Sequence, residues 1–233
     1  MERYREDLTY SYSLGMSLTI EALLHRPFEV KEVVLSQKAS KNSQLDLLFR
    51  LCDENHVRCR YDEAFIKKLS VKENCYCIGV FDKFSSKISG KRHVLLYGFN
   101  DFGELGTVLR SAVAFDFSDI VLIGSDIDIF DPRCIRASMG SIFHIGLERC
   151  ETLQAYKDAY PDHTVYPFVS SSKTILGDVV FNEPFGLLIS QDPHALDGME
   201  GGIALMKDNG KTVSLSIRSS IILEEAYDQN RRR

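Results

Sequence analysis

The sequence predicts an α/β protein in two modules, the second built on a mainly parallel sheet. Three observations carry this. Short apolar runs recur along the second half at Val94–Tyr97, Ile120–Ile123, Ile142–Ile145, Val165–Val169 and Phe185–Ile189. Stretches with apolar residues at helical spacing separate them, as in Leu105, Val108, Leu109 and Ala112. A small, polar and basic segment, Ser85-Ser-Lys-Ile-Ser-Gly-Lys-Arg92, divides this series from an earlier and shorter set of elements. Alternating strands and helices give parallel sheets, whose ligands sit at the carboxyl ends of the strands.

The first module is read from Ser13 to about Phe84. Leu18 through Leu24 form an amphipathic helix that ends near His25-Arg-Pro27, because proline cannot continue it. Val30–Leu35 is a strand. Asn42 caps a helix carrying Leu45, Leu48, Phe49 and Cys52 on one face. Val57, Cys59 and Tyr61 alternate with charges as a half-buried strand. Asp62 caps a short helix with Phe65, Ile66 and Leu69, and Cys75 to Phe81 is a further strand. In the second module, Pro132 opens a helix that runs through Gly140 into the Ile142–Ile145 strand. Another helix covers Glu151 to Ala159, and a last one about Ser216 to Tyr227.

Composition bounds the function. Hydrophobic residues make up 44% and charged residues 26% of 233, ordinary globular usage. No apolar run approaches the roughly 20 residues needed to span a bilayer, and the charged N-terminal residues lack a secretory apolar core. The six cysteines show no ligand-pair spacing, so neither zinc, another metal nor a disulfide framework is expected, and a reducing cytoplasm is the expected location. The net charge of −5 argues against RNA held by global electrostatics. A local basic cleft from Lys91, Arg92, Arg110, Arg133 and Arg136 is compatible with it.

The segment with most chemistry is Asp101-Phe-Gly-Glu-Leu-Gly-Thr-Val-Leu-Arg110-Ser-Ala. It sits where a buried strand turns into a helix. Free backbone N–H groups there favour anionic or polar ligands, and Arg110 projects a guanidinium from a rigid element. A second block follows, Asp131-Pro-Arg-Cys-Ile-Arg136-Ala-Ser138-Met-Gly140. Taken alone, Arg110 is equally a surface arginine paired with Asp116 or Asp119, and Gly140 an ordinary helix cap.

Together the two blocks resemble the SpoU/TrmH family of RNA ribose 2′-O-methyltransferases, within the knotted SPOUT superfamily. Asp101, Gly106, Arg110, Ser111 and Ala112 match its first motif, while Glu104 stands where the family usually has Asn. The resemblance implies a small substrate-recruiting domain over 1–88 and a knotted methyltransferase domain over 89–233. It implies S-adenosylmethionine as cofactor, ribosomal or transfer RNA as partner, and a homodimer packed through the last helix, with Ile217, Ile221, Ile222 and Ala226 as its apolar positions. Arg110 takes the catalytic role, and Glu104, Arg110, Arg136 and Ser138 face RNA. Ile189, Ser190, Gln191, Asp192, Ala204, Leu205, Met206, Ser214, Leu215 and Ser216 make the cofactor site.

The cofactor motifs depart from the family. The second reads Gly-x-Glu-Gly-x-Gly there; here Ser190 replaces the glycine, Asp192 replaces the glutamate, and no Gly-x-Gly follows. The third reads Ser-Leu-Asn-Val-Ser-Val-Ala; here it is Ser214-Leu-Ser-Ile-Arg-Ser-Ser220. Asn offers a donor and an acceptor where Ser216 offers one hydroxyl. These changes open a rival reading, a non-catalytic RNA-binding or assembly protein on the same fold. A nucleotide-binding oxidoreductase ranks last, because Gly-x-Gly-x-x-Gly is missing. His144, His163 and His194 stand as lone histidines with no nucleophile in a recognisable motif and are read as structural.

Overall fold

The structure is a computed structural model that describes residues 2–70, 75–85, 87–88, 90–192, 194–205 and 213–231. It comprises two compact units, one of Met1–Phe84 with Asp128–His144, the other of Ser85–Ile127 with Ile145–Arg233.

In the first unit, β1 (Tyr10–Leu14) leads into α1 (Met16–His25), β2 (Val30–Leu35), α2 (Ser43–Glu54), β3 (Arg58–Tyr61), α3 (Glu63–Leu69) and β4 (Cys77–Asp82). The sheet order is β1-β4-β2-β3. β4 runs antiparallel to both β1 and β2, and β3 is parallel to β2. The predicted caps form: the Asn42 side chain accepts from Leu45 N–H at 3.0 Å and Asp62 from Phe65 N–H at 2.9 Å. On α2 the buried face is Leu45, Leu48, Leu51 and Cys52, so Leu51 takes the place expected for Phe49. β1 is an element the sequence reading lacks. On one face Tyr12 joins the hydrophobic core, while the side chains of the other face are Ser11 and Ser13, both fully buried. Ser11 Oγ donates to the Phe130 carbonyl at 2.5 Å, and Ser13 Oγ lies 3.0 Å from Thr19 Oγ1. Hydrogen-bonded hydroxyls replace the apolar alternation by which a strand is recognised.

The second unit begins with β5 (Arg92–Tyr97), α4 (Phe102–Ala114) and β6 (Asp119–Ile123). The chain then passes through Asp128–His144, containing α5 (Pro132–Ala137), which packs in the first unit. There Phe81 meets Phe143 and Phe84 meets Phe130, each with ring centroids 5.0 Å apart. Asp128 accepts from Lys83 Nζ at 2.8 Å and from the Tyr4 hydroxyl. Residues 142–145 are not the expected strand. Ser141–His144 form a 3₁₀ turn with Ile142 and Phe143 buried, so the apolar run reflects packing on both sides rather than a ladder. Gly140 turns the chain at φ +86°, and a Cβ there would lie 3.1 Å from Glu21 carbons.

The remaining elements are β7 (Gly146–Cys150), α6 (Leu153–Ala159), β8 (Thr164–Val169), β9 (Phe185–Ser190), β10 (Ile203–Ala204) and α7 (Leu215–Arg231). The six-stranded sheet has the order β10-β8-β9-β5-β6-β7, and every pairing is parallel, as the alternation predicts. All six residues of β9 are buried, the mark of a strand covered on both faces. Leu95, Val121, Ile123, Tyr156 and Leu188 form the centre of the core. Sheet register sets Tyr97 beside Ser190 on one side and Ile123 on the other. The carboxyl ends of β9, β5 and β6 are thereby level.

Candidate functional site

At that level edge the chain leaves β5 and turns into α4. The Asp101 carboxylate accepts from Glu104 N–H at 2.8 Å, capping the helix. Gln191, just beyond β9, grips the same turn. Its Oε1 accepts from the N–H groups of Asn100 (2.7 Å) and Asp101 (3.3 Å), and its Nε2 donates to Asn100 Oδ1 at 2.9 Å. The first motif and the β9 loop are thus one hydrogen-bonded unit. The other end of the loop is fixed locally, where Asp192 Oδ1 accepts from His194 N–H at 2.9 Å.

Arg110 lies on the exposed side of α4, two turns below this edge. The acids that compete for it are engaged elsewhere: Asp116 pairs with Arg92 at 3.3 Å, and Asp119 accepts from Gly90 N–H at 2.6 Å. Among the described residues no ion pair or hydrogen bond takes the Arg110 guanidinium. Glu104 is exposed on the first turn of the same helix.

α7 starts against the β9 end. Leu215 is buried, and Ser216 Oγ lies 3.3 Å from Ser214 Oγ. α7 is tied to α4 where Ser220 Oγ meets Ser111 Oγ at 3.0 Å. Ile189 and Ser190 are buried, Gln191 is half-buried and Asp192 exposed. Ala204 and Leu205 sit at the end of β10, which pairs with β8 through Ile203–Phe168 and Ala204–Val169. Met206 lies outside the described residues. The loops at 189–192 and 214–216 therefore adjoin the first motif, whereas 204–205 lie two strands across from β5.

One residue in this cluster went unremarked in the sequence. Arg218 is buried on the first turns of α7, and its Nη2 donates to the Ser190 carbonyl at 2.6 Å. Burial lowers its pKa, while the carboxylates of Asp192 and Glu104 act the other way. It stands where the family's third motif has its second serine, a departure visible in the sequence.

In the first unit, Arg136 is exposed on α5, but Ser138 is fully buried, and its Oγ donates to the Ile135 carbonyl at 3.0 Å. Its hydroxyl closes the end of its own helix. The histidines are not lone. His163 stacks on the buried His93 at 4.3 Å, and His93 Nδ1 is 3.0 Å from the Tyr156 hydroxyl. His194 Nδ1 is 2.9 Å from Asp197 Oδ2. Among the described residues, one group of potential metal ligands comes together: Glu21, His25 and His144, with ligand atoms within 4.8 Å of one another. His144 Nε2 is 2.7 Å from Glu21 Oε2, a hydrogen bond that satisfies that pair without an ion.

The edge presents backbone groups, one buried cation and two carboxylates beside an unpaired arginine on a helix. That combination suits a ligand carrying both charges next to a phosphate-bearing substrate. Comparison with known proteins agrees. Residues 91–191 match the model of the SpoU rRNA Methylase family. The 23S rRNA (guanosine(2553)-2′-O)-methyltransferase RlmP of Bacillus subtilis (strain 168) is 25% identical over 183 residues, 76% of this chain and 70% of that one. An rRNA methyltransferase from Sinorhizobium meliloti superposes with a TM-score of 0.76 at 23% identity, covering 96% of this chain and 89% of the other. The SpoU methyltransferase AviRb from Streptomyces viridochromogenes, solved with AdoMet, superposes with a TM-score of 0.79 at 16% identity, covering 97% and 92%. Residues 91–191, which hold the Arg110 helix and the Gln191 clamp, are the part of this chain that is similar to the SpoU rRNA Methylase family.

Proposed function

We propose that this protein transfers a methyl group from S-adenosylmethionine to a ribose 2′-hydroxyl of RNA, with ribosomal RNA as the substrate class. One observation carries the reading: the Arg110 helix starts from a turn that Gln191 locks to the loop assigned to the cofactor. The relative RlmP acts on 23S rRNA, and the AviRb structure holds AdoMet on the same fold. S-adenosylmethionine supplies an electrophilic sulfonium methyl when bound. The residues fit such a group, because peptide groups at 189–192 and 214–216 and the buried Arg218 donors offer partners for its polar atoms.

The chain's own contribution is positioning and electrostatics. A guanidinium offers donors and no acceptor, so Arg110 is not the base; it clamps a phosphate beside the reacting sugar and stabilises the alkoxide as the hydroxyl loses its proton. Glu104 and Arg136 contact RNA in this reading; buried Ser138 does not. Residues 1–88 recruit the substrate and 89–233 hold the knotted catalytic domain. The working form is a cytoplasmic homodimer. Ile222 and Ala226 are buried within the chain, but Ile217 and Ile221 are 55% and 39% exposed and line a groove of about 420 Å³ with Phe115. A second copy covers that stripe. No helix among the described residues is long and apolar enough to cross a membrane.

The test is methyl transfer to unmodified ribosomal RNA and, separately, to transfer RNA, with the modified sugar mapped by alkaline resistance. Label in ribosomal RNA at a 2′-O position supports the reading. Label in transfer RNA alone overturns the substrate class. RNA binding without any transfer favours the assembly-protein rival.

A further inference from the structure

Arg218 is the buried charge whose partner in the cofactor this reading has not yet specified. It is 9% exposed. Its Nη2 has the Ser190 carbonyl, but its Nε is shut off from solvent and has no hydrogen-bond partner among the described residues. No carboxylate among the described residues reaches ion-pair distance. A buried cation with an unmet donor is costly, because desolvation is then repaid by one neutral acceptor only. The missing acceptor defines a site.

The chemistry of the edge specifies what fills it. Nε and one N–H of Nη2 lie side by side on a planar fork, and a carboxylate matches that pair with two oxygens. Adenine and ribose offer single neutral acceptors, a poorer match to a charge. The neighbours bear on the same question. Asp192 is two residues beyond the accepting carbonyl, and Glu104 is on the first turn of α4; both carboxylates act on Arg218 from beyond ion-pair range. The local pattern is one positive and two negative groups. S-adenosylmethionine carries the inverse: one carboxylate, one ammonium and one sulfonium.

We propose that Arg218 receives the methionine carboxylate of S-adenosylmethionine on its Nε edge, with Asp192 and Glu104 balancing the ammonium and sulfonium charges. This rests on the methyltransferase reading and adds a specificity-determining residue to it. The serine at this place in the family motif cannot supply a fork, so this chain selects the amino-acid end of the cofactor by a contact of its own. The two acids partly offset the burial of Arg218, whereas Arg110 is exposed.

Calorimetric titration of the full chain with S-adenosylmethionine and with its decarboxylated analogue tests this. The wild-type protein should bind the carboxylated form at least about tenfold more tightly, the scale of a hydrogen-bonded charge. Arg218→Met, which keeps length and loses the donors, should abolish the preference while binding the decarboxylated form about as well as wild type. Arg218→Lys should restore only part of it, since a point charge lacks the fork. Equal wild-type affinity for the two compounds overturns the assignment, including the case in which Asp192 swings in to satisfy Arg218 instead. Where Arg218→Met does not fold, Arg218→Gln takes its place with the same pair of compounds, and a preference retained at the wild-type level overturns the assignment. Binding of neither compound removes the methyltransferase reading itself, and this inference with it.

Discussion

Arg110→Ala separates chemistry from folding more cleanly than any other substitution. The side chain is exposed, and no described residue accepts from it. Alanine is at least as good a helix former as arginine, so α4 loses no intrinsic stability. The cost to folding should therefore stay within about 0.5 kcal/mol, typical of a surface change. The catalytic cost is of another order. Removing one preorganised donor from a developing oxyanion costs about 3–4 kcal/mol, or roughly 100- to 1000-fold in rate. Single-turnover transfer of labelled methyl to unmodified ribosomal RNA measures that loss, with urea unfolding and cofactor calorimetry as controls. Arg110→Lys should recover little of the rate, because an ammonium does not reproduce bidentate contact. Full activity in Arg110→Ala would show a surface arginine with no part in the reaction. A stability loss of several kcal/mol would show that the side chain has a partner and a structural role.

Three further outcomes follow from the geometry. Gln191→Ala removes the hydrogen bonds to Asn100 and Asp101 and should cost about 1–2 kcal/mol in urea unfolding, with weaker cofactor binding; unchanged stability and affinity would mean that the clamp is ornamental. Burial lowers the pKa of both His93 and His163, and the charge His163 would carry lowers that of His93 further. The unfolded chain then binds more protons than the folded one below about pH 6.5, so their contribution to stability is present above that pH and lost as it falls. The melting temperature should drop between about pH 7.5 and 5.5, and less so in His93→Gln; a flat profile contradicts neutral burial. Ile221→Asp places a charge on the exposed α7 stripe and should convert a particle of twice 26.4 kDa to 26.4 kDa in light scattering. A wild-type monomer at micromolar concentration removes the dimer.

The parallel sheet was legible because its strands are buried on both faces and need apolar residues at every position, as in β9. Helix starts were legible at Asn42 and Asp62, which satisfy backbone donors with short side chains; Asp101 caps α4 in the same way, a role the sequence reading does not assign to it. β1 was not, since Ser11 and Ser13 are buried through hydrogen bonds that include partners far along the chain, Phe130 and Gly79. The Ile142–Ile145 run misled for a related reason. Burial on all sides gives the same apolar signal in a 3₁₀ turn as in a strand. The sequence pointed to Arg110 and to the loops at 189–192 and 214–216 through their resemblance to the family motifs, and their roles are those of the proposed function. Arg218 escaped because an arginine in a helix reads as a solvated charge until the fold shows it buried.

The altered cofactor motifs admit two histories, decay of a pocket or its rebuilding, and electrostatics distinguishes them. A pocket that has lost its ligand has no reason to retain a buried charge, since desolvating a guanidinium costs several kcal/mol and a neutral side chain of similar size avoids it. Here the departures are charged and compensating. Glu104 introduces an acid where the family has Asn, Asp192 keeps an acid in place of glutamate, and Arg218 introduces a base where the family has Ser. All three come to the same end of the sheet, and the two acids raise the pKa that burial lowers. An isolated buried Arg218 would destabilise the site, whereas Glu104 and Asp192 are exposed and carry no such cost. Gln191 meanwhile keeps the Arg110 helix in register with the rebuilt loop. The set behaves as one substitution spread over three elements. That is the pattern of a pocket adapted to hold its cofactor differently, and it weighs against the non-catalytic rival.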